Sequence, residues 1–143
     1  MTKTDTPLHL TVERTVAATP EAVFDAWLSP DMLRRFMCPG PGMSTPKADA
    51  DPRVGGRFDL IMTDGETDMP HGGVYKVIDR PNRLVFSWES PFSAENSEVD
   101  ITFEPAPDGT LVRLTHTRFA TQESRDNHER GWAAILEKLS AEI

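Results

Sequence analysis

The side chains best suited to acid–base or metal chemistry in this sequence are four histidines, His9, His71, His116 and His128. No two stand at the helical spacing that lets a pair grip a metal ion, and the single cysteine, Cys38, is far from all of them in sequence. No metal site and no cofactor are therefore expected. His116 carries more. It follows Val112 and Leu114 at alternate positions of "TLVRLTHTR", which turns it inward with them. A lone histidine on an apolar face is ordinarily a core residue with its hydrogen bonds satisfied. Its functional reading is a polar group inside a pocket that orients a ligand or acts as acid or base. His128, on the terminal helix, would face it.

Two arginines also fall on apolar sides. Arg118 lies near a strand end, where a long side chain can reach solvent. Arg14 sits among Leu8, Leu10, Val12 and Val16, so it must pair, reach the sheet's edge or reach a wet cavity. Asp25 is a candidate partner; the alternative makes Arg14 a polar anchor for a ligand. The other chemical patterns are weaker. "DGETDMPHGG" spaces Asp64, Glu66 and Asp68 like a calcium loop, but Met69 and Tyr75 occupy the sixth and twelfth positions, where glycine and glutamate belong. It reads as a solvated loop that could cover a cavity mouth. "RVGGRF" lacks the Gly-Lys-Ser/Thr ending of a phosphate loop, and a strand follows it; Gly56 would keep the sheet face open. Cys38 has no cationic neighbour in sequence closer than Arg35 and reads as an inert thiol. No serine sits in a nucleophile-elbow context, so no catalytic residue is assigned.

The elements that must position these groups follow from periodicity. "LHLTVERTVA" alternates as a half-buried strand. "TPEAVFDAWL" and "SPDMLRRFM" each open with a hydroxyl N-cap, a proline and an acid, the start signal of a helix. "CPGPGMSTP" is a loop able to rise over a rim. From about residue 44, strands joined by short turns predict an antiparallel meander. A helix from about 122 to 142 carries Trp132, Ile135, Leu136, Leu139 and Ile143 as one stripe, with Gly131 beside it. The prediction is an α+β fold, one domain over 1–143, with about seven strands and two short helices after the first. A twisted sheet of that size curls. One helix, about 10–12 Å across, is too narrow to seal its hollow face, so a chamber should survive between them.

Composition bounds the partners. The 143 residues hold 15 basic and 23 acidic side chains, a net charge of −8, which argues against nucleic acid and anionic lipid. No run reaches the roughly 20 apolar residues of a membrane helix, and "MTKTDTPLHL" lacks a signal peptide's apolar core. With no second cysteine for an intrachain disulfide, a cytoplasmic location without membrane insertion is expected. Exposed edge strands would suit a homodimer.

"ERTVAATPEAVFDAWLSPDMLRRF", "RVGGRFDL", "GVYKVIDRPNRLVFSW", "TFEPAPDGTLVRLTHTRF" and "GWAAILEKL", in this order, resemble the AHSA-type family. Its domains are similar to the C-terminal domain of the activator of the heat-shock-protein-90 ATPase, within the START/Bet v 1-like (SRPBCC) superfamily. The resemblance implies the helix-grip fold, a curved antiparallel sheet around a long C-terminal helix with a deep cavity between. Superfamily relatives bind lipids, sterols, hormones or polyketides, and some are cyclases or hydrolases. The activator's chaperone contact involves an additional N-terminal domain that this chain is expected to lack, so a co-chaperone role is not carried over. Phe36-Met37 departs from an aromatic pair with tryptophan common in relatives, which alters the lining or mouth of any pocket.

The expected function is binding of a small apolar or aromatic molecule. Its lining would come from Trp27, Phe36, Phe58, Tyr75, Phe86, Trp88, Phe103, His116, His128 and Trp132, with Arg14 as anchor. The alternatives are a cyclase-, dehydratase- or hydrolase-type enzyme using the same cavity, and a chaperone-interaction module using the sheet's outer face.

Overall fold

Thr19 and Ser29 start the two short helices as their sequence pattern predicts. The Thr19 hydroxyl accepts from the Ala22 amide at 3.2 Å, and the Ser29 hydroxyl from the Met32 amide at 3.3 Å. In this computed structural model, which describes residues 8–91 and 93–143, they become α1 (Pro20–Ala26) and α2 (Pro30–Phe36), after β1 (Leu8–Val16). Six strands follow: β2 (Ser44–Ala50), β3 (Arg57–Thr63), β4 (Asp68–Asp79), β5 (Arg83–Ser87), β6 (Glu98–Ala106) and β7 (Gly109–Phe119). Then comes α3 (Gln122–Glu142), whose first turn is capped by Thr121 accepting from Ser124 N at 3.0 Å.

The sheet is wholly antiparallel, in the order β1-β7-β6-β5-β4-β3-β2. β2 to β7 are a meander. The first strand joins beside the last, so β1 and β2 are the two edges and the α1–α2 segment must cross the concave face to link them. This is the α+β helix-grip arrangement. The long helix packs on β1, β7 and α2, while α2 itself packs on β2. Helix contact is thus concentrated at the sheet's margins, and the concave side of β3 and β4 is left to be covered by side chains alone.

Two departures from simple alternation matter. Arg118 has φ of 74° and is the extra residue where Leu8 pairs with Phe119 but His9 with Thr117. This bulge swaps the faces, so Phe119 goes in and Arg118 goes out. The second departure is the segment 64–73, which is not a ten-residue loop. Asp64 Oδ1 accepts from the amides of Glu66 and Thr67, both at 2.8 Å, in a tight turn, and the β3–β4 ladder resumes at once with Thr63 opposite Asp68 and Met62 opposite Met69. The glycine pair inside β4 marks a close backbone approach: a Cβ on Gly73 would lie 1.8 Å from the Ser87 carbonyl oxygen. Gly56 plays a similar part in the turn before β3, where a Cβ would lie 2.2 Å from the Asp51 carbonyl, so it serves the turn rather than an open sheet face. No helix of the described residues is long and apolar enough to cross a membrane.

Candidate functional site

A cavity of about 600 Å³ lies where the helix leaves the sheet uncovered. Its helical wall is the N-terminal half of α3, with Ser124, Asn127, His128, Gly131, Trp132 and Ile135 spaced so that one face looks inward. The opposite wall is Met62 of β3, Met69 and His71 of β4, and Trp88 just after β5. Pro39 and Met43, from the loop after α2, close one side. Exposed Thr121, Glu123 and Asn127 form a rim through which the space opens to solvent. Gly131 contributes directly. A Cβ there would approach only Pro39, at 3.3 Å from its Cβ, so the missing side chain leaves room beside the Trp132 indole.

Of the residues expected to line the cavity, Trp88, His128 and Trp132 do so. Trp27, Phe36, Phe58, Tyr75, Phe86, Phe103 and His116 are instead buried in the core, outside the lining. The reason is their attraction for one another. Phe58 meets Phe86 edge-on with centroids 5.0 Å apart, Trp27 meets Phe36 at 5.0 Å, and Phe103 meets Phe24 at 5.2 Å. The large rings fill the deep part of the grip and drive out free space. Burial pushes the Tyr75 phenol well above its ordinary pKa. The methionines and His71 are lining residues that the sequence did not reveal. Met69 and His71 alternate with Gly73 and Tyr75 along β4; reading the strand through Pro70 would have found them.

His116 is inward and fully buried, yet it is closed to a guest. The Trp132 indole N–H donates to its Nδ1 at 2.9 Å. That fixes the tautomer: Nε2 carries the proton and donates to the Ser97 hydroxyl oxygen, 2.5 Å away. Burial first, and the nearby His128 second, push its pKa down to about 3. A ring kept neutral with both nitrogens spent is not an acid or base for a guest; it holds the indole of Trp132 in place. Ser97 also accepts the Trp88 amide through its carbonyl, at 2.8 Å. The two tryptophans of the wall are therefore tied through Ser97 and His116.

His71 and His128 are arranged differently. His71 Nδ1–H donates to the Met69 carbonyl at 2.9 Å, and His128 Nδ1–H to the Ser124 carbonyl at 2.8 Å. In the neutral form of each ring this leaves Nε2 as an acceptor. Neither Nε2 has a protein partner among the described residues, and neither is sealed from solvent. Burial lowers the His71 pKa, the Met69 hydrogen bond opposes this in part, and His128 adds to the lowering.

Arg14 does not reach the cavity. It lies on the edge strand β1, its side chain is exposed, and it is not part of the lining. Asp25, its suggested partner, takes a two-pronged contact from Arg80 at 2.8 and 2.9 Å. The Cys38 thiol donates to the Arg35 carbonyl at 3.7 Å, and burial raises its pKa, in keeping with an unreactive thiol. Among the described residues no group of three or more His, Cys, Asp or Glu side chains could hold a metal ion.

The model of the family "Activator of Hsp90 ATPase homolog 1-like protein" matches residues 17–143. No curated protein matches. Among solved structures, protein CV1439 from Chromobacterium violaceum superposes with a TM-score of 0.84 at 22% identity, covering 96% of this chain and 98% of that one, a likeness of fold. The AHSA1-like protein from Aeromonas hydrophila gives 0.81 at 27% identity over 94% and 90% of the two chains. The AHSA1 protein from Silicibacter pomeroyi gives 0.77 at 28% identity over 94% and 96%.

Proposed function

This chain belongs to the activator of Hsp90 ATPase homolog 1-like family, and on that premise we propose that it binds a small apolar or aromatic molecule in the chamber between α3 and the β3–β4 hairpin. The observation that carries the reading is the chamber itself. Its volume of about 600 Å³ falls in the range of small-molecule pockets, and its walls are thioethers, indoles and an isoleucine with only a few polar groups. The Trp132 indole, held by its hydrogen bond to His116, packs on the Trp88 indole with ring centroids 4.9 Å apart, and together they make a wall for a flat guest.

The test is a thermal-shift screen with lipids, flavonoids and polyketide-like aromatics. A guest at a hundredfold excess over its Kd should raise the melting temperature by about 5–10 °C, and bound ring compounds should quench tryptophan emission. A screen in which nothing shifts the transition contradicts the reading. An enzymatic alternative of the cyclase, dehydratase or hydrolase kind would rest on His71 and His128, whose Nε2 atoms are open, rather than on His116.

A further inference from the structure

The chamber's polar groups are unequal in kind. In the neutral rings both open imidazole nitrogens are acceptors, because each ring has committed its N–H to a backbone carbonyl. The three methionine sulfurs of the wall are weak acceptors. Donors are fewer: the hydroxyls of Thr121 and Ser124 stand at the N-cap and first turn of α3, beside the rim, and the indoles offer none. The Trp132 N–H is spent on His116, and the Trp88 Nε1 is sealed away from accessible space. No lysine or arginine lines the cavity, and its charged rim residue is the acid Glu123. The N-terminal end of α3 would by itself attract an anion, but Glu123 already stands in its first turn and answers that field. Asn127 has an amide N–H₂ to offer, and it is at the exposed rim.

From this one-sided inventory we propose that the guest is a flat aromatic molecule bearing a hydrogen-bond donor, a phenolic hydroxyl or an aromatic amine, received by His71 and His128, and that carboxylates such as fatty acids are rejected. The proposal rests on the chamber being the ligand site. Where the imidazoles are neutral, a carboxylate would bring its charge next to two lone pairs and the Glu123 carboxyl, with no lysine or arginine in the lining to neutralise it. A hydroxyl or amine hydrogen meets a fixed lone pair and is not itself left unpaired.

The experiment uses four pyrenes that differ in one substituent: 1-hydroxypyrene, 1-aminopyrene, 1-methoxypyrene and 1-pyrenecarboxylate. Affinities are read by tryptophan quenching at pH 8, well above the ordinary imidazole range. The hydroxyl and amine should bind about tenfold tighter than the methyl ether, the worth of one hydrogen bond, and the carboxylate should bind weakest. His71→Leu and His128→Leu should each shrink the hydroxyl-to-ether ratio to about threefold or less. His128→Gln, which restores an acceptor, should recover part of the ratio. Should the carboxylate bind as well as the hydroxyl, or the ratio survive in both leucine variants, the donor proposal falls and the chamber remains a ligand site. Should none of the four bind, the chamber reading fails, and this proposal with it.

Discussion

Replacing Gly131 with phenylalanine should weaken guest binding by about a hundredfold or more while the protein melts no lower than the parent. The two halves of this result come from the same geometry. Gly131 is on the cavity face of α3, and beyond Pro39 at 3.3 Å nothing lies close to the place of a new Cβ. A phenyl group there has to enter the chamber and take up the room a ring-shaped guest would use. The backbone gains at the same time, because glycine within a helix costs about 1 kcal/mol relative to alanine and phenylalanine costs less. The new ring also buries itself against Met62, Met69 and Trp88 on the opposite wall. Titration with a guest from the screen, alongside thermal melts of both proteins, reads both effects. Binding that persists in a stable Gly131→Phe protein would move the ligand site elsewhere.

The second large effect concerns acid. His116 is neutral in the folded protein with a pKa of about 3, against roughly 6.5 in an unfolded chain. Between those values the unfolded chain holds a proton that the folded one does not. Stability is therefore complete above about pH 6.5 and declines as the pH falls, by up to about 1.4 kcal/mol per unit, levelling off as the folded ring itself protonates. His71, also lowered by burial, acts with the same sign. The carboxylates with lowered pKa values, Asp25, Asp64 and Asp126, are on the surface and titrate below this range. Between pH 6.5 and 4.5 the loss is thus due chiefly to histidine, and should reach about 2 kcal/mol. Urea midpoints in that window should slope clearly for the parent and more gently for His116→Gln. His116→Leu, measured at pH 7.5, should lose about 4 kcal/mol, since the Trp132 N–H and the Ser97 hydroxyl are both left buried without a partner. A parent whose midpoint is flat down to pH 4.5 would contradict the assignment of His116 as a buried neutral ring.

The course of the chain was largely readable because its periodic stretches are long. The stripe on α3 and the paired hydroxyl–proline starts of α1 and α2 each contain several agreeing signals. Alternation failed where the backbone breaks step. At Arg118 a single left-handed residue reverses the faces, and nothing in the identity of an arginine announces it. At the start of β4, Pro70 and the Gly72-Gly73 pair read as loop, yet Pro70 is accommodated in the ladder opposite Ile61, and side chains are excluded at Gly73 by the end of β5 and at Gly72 by β3. That misreading concealed Met69 and His71.

The chamber's lining was misassigned for a related reason. Aromatic side chains were expected to surround the hollow, but large rings lower their free energy most by stacking edge to face, so they filled it. Space persists next to residues that are small or unbranched, Gly131 and the methionines. His116 was correctly placed as inward. Its exclusion from the chamber depends on Ser97 and Trp132 reaching both of its nitrogens, a tertiary coincidence that sequence spacing does not encode.

The most direct test of guest binding in the chamber uses the three indole N–H signals in a nitrogen-15 correlation spectrum, one each for Trp27, Trp88 and Trp132. Titration with 1-hydroxypyrene should move the Trp88 and Trp132 signals together, since both rings line the cavity, and leave Trp27, which does not, the least changed. A titration that moves Trp27 alone, or that shifts backbone amides only on the outer face of the sheet, would contradict the account.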